Sequence, residues 1–116
     1  MEHITLQNGR LTVEISPQGA EVQRICDANG IERLWNGDPA FWTGHSPVLL
    51  PRAGALKDDT YTLDGKPYAL GKHGFARNSL FAVEESGNES ATFLLTSKEA
   101  SSPGFPFAYE FRVRYT

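Results

Sequence analysis

The chain has 116 residues, of which 40% are hydrophobic, and its formal net charge at pH 7 is -3. This length accommodates one modest hydrophobic core, so residues 1–116 are expected to form a single domain or the N-terminal portion of a larger one. The slightly acidic balance includes no run of five like charges, which disfavours nucleic acid or a membrane surface as a partner.

Neither an export segment nor a membrane span is predicted. The longest aliphatic run, residues 48–50, is far shorter than the roughly 20 residues that cross a bilayer. The N-terminus, MEHITLQNGR, lacks the basic start and apolar stretch of a signal peptide. Cys26 is the one cysteine, so an internal disulfide is excluded and a small core residue is expected. These features predict a cytoplasmic protein.

The first predicted hairpin pairs residues 4–6 with residues 11–15, because both stretches alternate apolar and polar side chains. The pair Asn8-Gly9 favours a type I′ turn. That turn would place Leu6 opposite Leu11.

A turn at 16–19 leads to a second predicted hairpin, 22–26 with 31–35. Residues 36–55 then break the regular spacing with three prolines and three glycines around a short predicted strand, 47–50. Such irregular segments are often functional or cover one end of a core.

The third predicted hairpin pairs residues 61–63 with residues 66–70 around Asp64-Gly65. Because Pro67 lacks an N–H, its strand is expected to lie at a sheet edge. Asp64, like Asp58 and Asp59, is interpreted as a turn former.

Three more strands are predicted, at 79–85, 91–97 and 109–115, with a loop at 101–106 before the last one. The last strand is half-buried, because its aromatic and aliphatic residues fall on one face and its charges on the other. The chain therefore reads as all-β, with eight or nine strands in an antiparallel β-sandwich. An open edge on the last strand would invite self-association.

Several ordered motifs carry a family likeness. They are WNGDPAFW at 35–42, SPVLLP at 46–51, KD at 57–58 and HGFARN at 73–78. With the closing strand, this set resembles the aldose 1-epimerase (galactose mutarotase) superfamily over residues 19–115, and within it the LacX-like branch. The resemblance implies the N-terminal part of a galactose mutarotase-like supersandwich.

The implied reaction interconverts the α and β anomers of a free hexose or hexose phosphate, without metal or nucleotide cofactor. A base removes the proton of the anomeric hydroxyl while an acid protonates the ring oxygen. The ring opens, the aldehyde end rotates and the ring closes again with the two roles reversed. Titratable groups with pKa values near neutrality suit both roles.

The resemblance assigns His73 as a catalytic and sugar-binding histidine near the ring oxygen of the substrate. It assigns Arg77 to the substrate, where a guanidinium suits a hydroxyl pair or a phosphate equally. Relatives often carry arginine where this chain has Ala55, and Arg52 is a candidate substitute. By default, Arg52 and Lys57 are solvated loop charges, which leaves the role of Arg52 open.

In the family, a second histidine and a catalytic carboxylate come from the C-terminal half. No histidine follows His73 here, and the later carboxylates match no family motif: Glu84, Glu85, Glu89, Glu99 and Glu110. We therefore interpret the chain as the N-terminal portion of an epimerase-like protein. A non-catalytic carbohydrate-binding module is the main alternative, and an inactive, self-associating fragment is another.

Simpler interpretations apply to several residues. His73 alone is typical of a turn histidine whose ring caps a backbone group. Trp35, Phe41 and Trp42 could stack on a sugar, but packing in the core is favoured. His3 and His45 have no acidic or cysteine neighbour at ligand spacing, so no metal site is predicted.

Overall fold

The computed structural model describes residues 2–98 and 103–116 and consists largely of antiparallel β-strands. The only helical elements in these ranges are short 3₁₀ turns at Lys57–Asp59 and Ala76–Asn78, and neither could cross a membrane. Eight strands lie in the described ranges: β1 (Ile4–Gln7), β2 (Leu11–Ser16), β3 (Glu21–Asp27), β4 (Thr60–Leu63), β5 (Lys66–Ala69), β6 (Ala82–Ser86), β7 (Ala91–Thr96) and β8 (Glu110–Tyr115). The all-β prediction is confirmed.

Two three-stranded sheets, β1-β2-β3 and β6-β7-β8, share one hydrophobic core. Ile15 of β2 and both Phe93 and Leu95 of β7 are fully buried in it. The hydroxyl of Tyr115 on β8 donates a hydrogen bond to the carbonyl of Ala20 at 2.7 Å, which joins the second sheet to the turn before β3. The predicted packing of antiparallel sheets is thus the observed one.

The first hairpin forms, but its predicted register is wrong by two residues. Leu6 pairs with Val13 rather than with Leu11, and residues 8–10 connect the two strands. The cause is the Asn8 side chain, whose Oδ1 accepts hydrogen bonds from the backbone N–H groups of Arg10 and Leu11, both at 2.9 Å. This Asx-type turn replaces the type I′ turn. A shift of two preserves the inward face, so the core pattern survives.

The second predicted hairpin forms only in part. The Asp27 N–H donates to the Ile31 carbonyl at 3.0 Å and the Arg33 N–H to the Ile25 carbonyl at 2.7 Å, on either side of a bridge from Glu32 to Cys26, but residues 31–35 form no strand and β3 pairs mainly with β2. The predicted strand 47–50 is likewise reduced to a bridge from Leu50 to Gly74. Cys26 itself is buried, as predicted.

Three aromatic side chains in this irregular region contradict the core interpretation. Phe41 is 79% exposed, Trp42 51% and Trp35 40%. The Trp35 indole N–H donates to the Trp42 carbonyl at 2.8 Å, and the Trp35 ring meets Phe41 edge-on. The rings contact one another instead of the core.

The third hairpin forms in the predicted register, with strand bounds that differ from the predicted ones by one residue at two ends. Leu63 pairs with Lys66, and Asp64 and Gly65 have φ angles of +51° and +77°. Pro67 lies in a two-stranded sheet, so its missing N–H faces no partner strand within the described residues. Asp58 and Asp59 also have positive φ, at +55° and +54°, as expected of turn formers.

The strands predicted at 91–97 and 109–115 form within one residue of their predicted bounds, whereas the strand predicted at 79–85 begins only at Ala82. β7 is the central strand and β6 and β8 flank it, with Phe111, Val113 and Tyr115 of β8 half-buried. Of the predicted loop at 101–106, residues 101 and 102 lie outside the described residues.

Candidate functional site

His73 lies in the loop between β5 and the 3₁₀ turn Ala76–Asn78. Its φ angle is +64°, a left-handed conformation that is uncommon for residues other than glycine. The next residue, Gly74, also has positive φ, +71°. Two consecutive left-handed residues turn the chain sharply, and the imidazole is half-buried in that turn.

Two hydrogen bonds join His73 to Gly54. The backbone N–H of His73 donates to the Gly54 carbonyl at 2.8 Å, and the backbone N–H of Gly54 donates to His73 Nδ1, also at 2.8 Å. The interpretation of His73 as a turn residue whose ring caps a backbone group is therefore confirmed. The ring's other nitrogen, Nε2, has no hydrogen-bond partner among the described residues.

The loop that carries Gly54 is held on its other side as well. The Leu50 carbonyl accepts hydrogen bonds from the backbone N–H groups of Phe75 at 2.9 Å and Ala76 at 3.4 Å. The chains approach so closely here that a Cβ on Gly74 would lie 2.0 Å from the Leu50 oxygen. Only glycine fits that position.

Arg52 lies between these two attachment points, so its backbone is fixed against the His73 loop. Its side chain is exposed. The structure thus brings Arg52 and His73 into neighbouring loops. Lys57 and Ala55 follow on the same stretch and are also exposed.

Arg77 lies in the 3₁₀ turn that follows His73, with an exposed side chain. Its guanidinium Nη2 donates to the carbonyl of Lys72 at 3.3 Å, the peptide group directly before His73. Within residues 2–98 and 103–116, neither Arg77 nor Arg52 forms an ion pair. Both cations are therefore available to an anion or to hydroxyl groups.

The His73 loop is anchored on the core side by Phe75 and Ala76. Ala76 is completely buried, and the Phe75 ring lies 5.8 Å from the Phe105 ring and 5.9 Å from the Tyr109 ring. Burial raises the pKa of the Tyr109 phenol. The loop is thus supported by packed aromatic residues, and the side chains of the neighbouring Lys72 and Arg77 are exposed.

The other histidines lie elsewhere. His45 Nδ1 is 2.9 Å from the Trp35 carbonyl, and His3 Nδ1 is 4.0 Å from a Glu14 carboxylate oxygen. Across the described ranges, no group of three or more His, Cys, Asp or Glu side chains is arranged to hold a metal ion.

The described carboxylates late in the chain are engaged in ion pairs or exposed. Glu84 and Glu110 both contact Arg112, at 2.9 Å and 3.2 Å. The hydrogen bond from Arg112 lowers the pKa of Glu84 below its ordinary value, so Glu84 is a weak base. Glu99 lies outside the described residues.

Gly54 and Gly74 are the residues that inspection of the sequence missed. Gly74 carried a signal, since a glycine next to a candidate site residue often marks close backbone approach. No signal in the sequence links Gly54 to His73, because the contact uses the backbone N–H of Gly54 and joins positions 19 apart in the chain.

Comparison with known proteins identifies the family. The family model for Aldose 1-epimerase matches residues 2–116. The chromosomal and plasmid forms of Protein LacX from Lactococcus lactis subsp. lactis are each 35% identical over 118 residues, which cover 97% of this chain and 40% of theirs. The chain therefore spans about two-fifths of the length of these curated relatives.

Solved structures agree. A galactose mutarotase related enzyme from Lactobacillus acidophilus superposes with a TM-score of 0.94 at 46% identity, over 98% of this chain and 38% of that one. A galactose mutarotase-like protein from Lactobacillus casei ATCC 334 gives 0.93 at 35% identity, over 98% and 39%. On sequence and fold together, this chain belongs to the aldose 1-epimerase family and forms an N-terminal portion of its β-sandwich.

Proposed function

We propose that residues 1–116 form the His73 side of the sugar cleft in an aldose 1-epimerase-like isomerase. The proposed substrate is a free hexose or hexose phosphate whose α and β anomers are interconverted by acid/base ring opening. The observation that supports this role is the pair of His73–Gly54 hydrogen bonds, which leaves Nε2 as the ring's available polar atom. Arg52 and Arg77 flank the same loop.

In this proposal the sugar lies against the outward side of the His73 loop. His73 hydrogen-bonds the substrate near its ring oxygen, while Arg77 and Arg52 bind a hydroxyl pair or a phosphate group. A guanidinium serves either ligand, so the choice between a free and a phosphorylated sugar stays open to experiment. The family membership and the similarity to a galactose mutarotase related enzyme support a sugar as the ligand.

The proton-transfer partners of His73 are proposed to come from residues outside this chain. The sequence has no histidine after position 73, and Arg112 engages two of the later carboxylates, Glu84 and Glu110. The cleft would then be assembled from two parts of the longer fold found in the relatives.

The test is anomer exchange, measured by NMR exchange spectroscopy on the protein of natural length that carries these residues. Galactose, glucose and glucose 6-phosphate serve as substrates. We expect His73→Asn to lower the rate at least about 100-fold, because a general acid/base group contributes on the order of 10² to 10⁴. Asn suits this position because it tolerates left-handed φ, so the turn is retained.

His45→Asn is the matched control, since His45 also lies in a loop and also bonds the backbone. It should keep the wild-type rate. Equal exchange rates for wild type and His73→Asn would remove His73 from the catalytic site.

A non-catalytic carbohydrate-binding module is the second candidate. It is favoured by the pairing of Glu84 and Glu110 with Arg112, which leaves this chain without a prepared base at those positions. Sugar titration followed by NMR separates the two functions. Saturable binding with no acceleration of anomer exchange in the protein of natural length would support the module and contradict the isomerase.

We also propose self-association through the open edge of β8, which pairs with β7 on one side only within the described residues. Unpaired N–H and C=O groups at such an edge favour pairing with a second copy. Light scattering of the 116-residue chain tests this, and a monomer at every concentration would refute it.

A further inference from the structure

We infer that Gly54 is a positioning residue that fixes neutral His73 as the tautomer protonated on Nε2. His73 then acts toward a sugar as a hydrogen-bond donor and not as a base. The part concerning the sugar rests on the proposed function, whereas the tautomer follows from this chain alone and is tested separately.

The direction of one hydrogen bond sets the tautomer. A backbone N–H can only donate, so the 2.8 Å contact from Gly54 N requires a lone pair on His73 Nδ1. A neutral imidazole has a single N–H. That hydrogen must therefore be on Nε2, the nitrogen on the opposite side of the ring from Gly54.

The second hydrogen bond makes the arrangement rigid. His73 N donates to the Gly54 carbonyl at 2.8 Å. The peptide groups before and after Gly54 therefore both form hydrogen bonds with His73. Rotating the ring by 180° would break the bond from Gly54 N and leave that N–H unpaired. A partly buried donor left without a hydrogen bond is unfavourable, so the observed ring orientation is preferred.

Glycine is needed at position 54 because of its backbone conformation. Its φ is +81°, which other residues adopt only with strain, although a Cβ there would meet no atom within 4 Å. A side chain would therefore act by rotating the backbone N–H away from Nδ1, without a steric clash. This makes Gly54→Ala a clean probe of the N–H direction.

The chemical consequence concerns which atom of a sugar His73 can contact. An Nε2–H group pairs with a lone pair, such as that of the pyranose ring oxygen. The ring's only lone pair is on Nδ1 and already accepts from Gly54, so His73 is not positioned to remove the proton of the anomeric hydroxyl. The base must be another group.

The first experiment reads the tautomer directly on the 116-residue chain. Long-range ¹H–¹⁵N correlation of the imidazoles distinguishes a protonated nitrogen from one with a lone pair. We expect protonated Nε2 and unprotonated Nδ1 for His73, with the signals assigned by their loss in His73→Asn. The Nδ1–H form, or averaging between the two tautomers, would overturn the inference.

The second experiment tests Gly54 as the cause. Gly54→Ala should increase the Nδ1–H fraction of His73 and lower kcat about tenfold in the protein of natural length, with little change in KM. Gly30→Ala is the matched control, because Gly30 has the same φ of +81° and also has no atom within 4 Å of its Cβ position. It should change neither readout.

An unchanged tautomer in folded Gly54→Ala would show that Gly54 does not position the ring. If that variant fails to fold, the tautomer of the wild-type chain still decides the first claim. If the protein does not catalyse anomer exchange, the tautomer assigned to His73 can still be correct. If the tautomer is wrong, the protein can still catalyse anomer exchange, so each idea is tested independently of the other.

Discussion

Two loops of this molecule each contact a histidine at Nδ1, but the backbone group that Nδ1 faces differs between them. His73 Nδ1 faces a backbone N–H, that of Gly54, at 2.8 Å. His45 Nδ1 faces a backbone C=O, that of Trp35, at 2.9 Å. A carbonyl can only accept, so neutral His45 must be protonated on Nδ1 and keeps its lone pair on Nε2. The backbone partner of Nδ1 therefore determines which ring nitrogen of each neutral histidine carries the hydrogen.

The surroundings of the two loops also differ. The His73 loop is tied to Leu50 and Gly54 and anchored by buried Ala76. The His45 loop carries the exposed Phe41, and its backbone N–H groups at His45 and Ser46 donate to the carboxylate of Glu21. Pre-organised groups suit a site, because they are ordered before the ligand arrives.

The largest effect on stability is expected from Gly74→Ala, which adds a methyl group in the His73 loop. Gly37→Ala, which adds one next to the His45 ring, is the variant to compare with it. Gly74→Ala would place Cβ 2.0 Å from the Leu50 carbonyl oxygen, a backbone atom that cannot yield, whereas Gly37→Ala would meet the His45 ring at 2.7 Å. Both glycines have positive φ, +71° and +74°, so their conformational strain is matched. We expect losses of about 3 and about 1 kcal/mol in the free energy of unfolding.

Urea unfolding of both variants measures the difference. Equal losses in the free energy of unfolding would mean that the His73 loop is held no more tightly than the His45 loop.

An intermediate effect should come from the carboxylate that fixes the His45 loop. Glu21 accepts from the backbone N–H groups of His45 at 3.2 Å and Ser46 at 3.1 Å. Glu21→Gln keeps an acceptor but loses the charge that strengthens both bonds, so a local loss of about 1 kcal/mol is expected.

Hydrogen exchange locates that loss. The Ser46 amide should exchange roughly fivefold faster in Glu21→Gln, and the His73 amide should not change. Faster exchange at both amides would indicate that the two loops open together.

The smallest effect is a pH dependence in the turn that precedes the His45 loop. Hydrogen bonds from the Ile31 backbone N–H and then the Arg33 side chain lower the pKa of Asp27. A depressed carboxyl pKa stabilises the fold above the ordinary value near pH 4, and that contribution is lost as pH falls through the folded-state pKa.

NMR titration from pH 6 downward checks this direction. The Ile31 amide signal should move as Asp27 protonates, with a midpoint below that of an unfolded peptide, and Asp27→Asn should abolish the shift. The Phe75 amide is the reference, because it donates to the Leu50 carbonyl and not to a carboxylate. A midpoint above the peptide value would contradict the assignment.

Local information was enough to predict the third hairpin. The pair Asp64-Gly65 specifies a turn with two positive φ angles, and the observed pairing of Leu63 with Lys66 follows from it. The first hairpin shows the limit of that reasoning. Asn8 also precedes glycine, but its side chain bonds the backbone ahead and lengthens the loop.

The site could be predicted only in part. The family resemblance pointed to His73, Arg77 and Arg52, and the structure places all three on two connected loops. It could not point to Gly54, since backbone atoms are common to every residue and the sequence does not mark which ones will meet. The exposed rings of Trp35 and Phe41 were mispredicted because aromatic composition does not say which surface buries a side chain.

The bond from the Tyr115 hydroxyl to the Ala20 carbonyl links positions 95 apart. A contact of such long range cannot form until β8 has left the ribosome, so the packing of the first sheet is complete only after the eighth strand has been made. During that interval the apolar face of the early strands is exposed to water, and such transient exposure favours aggregation.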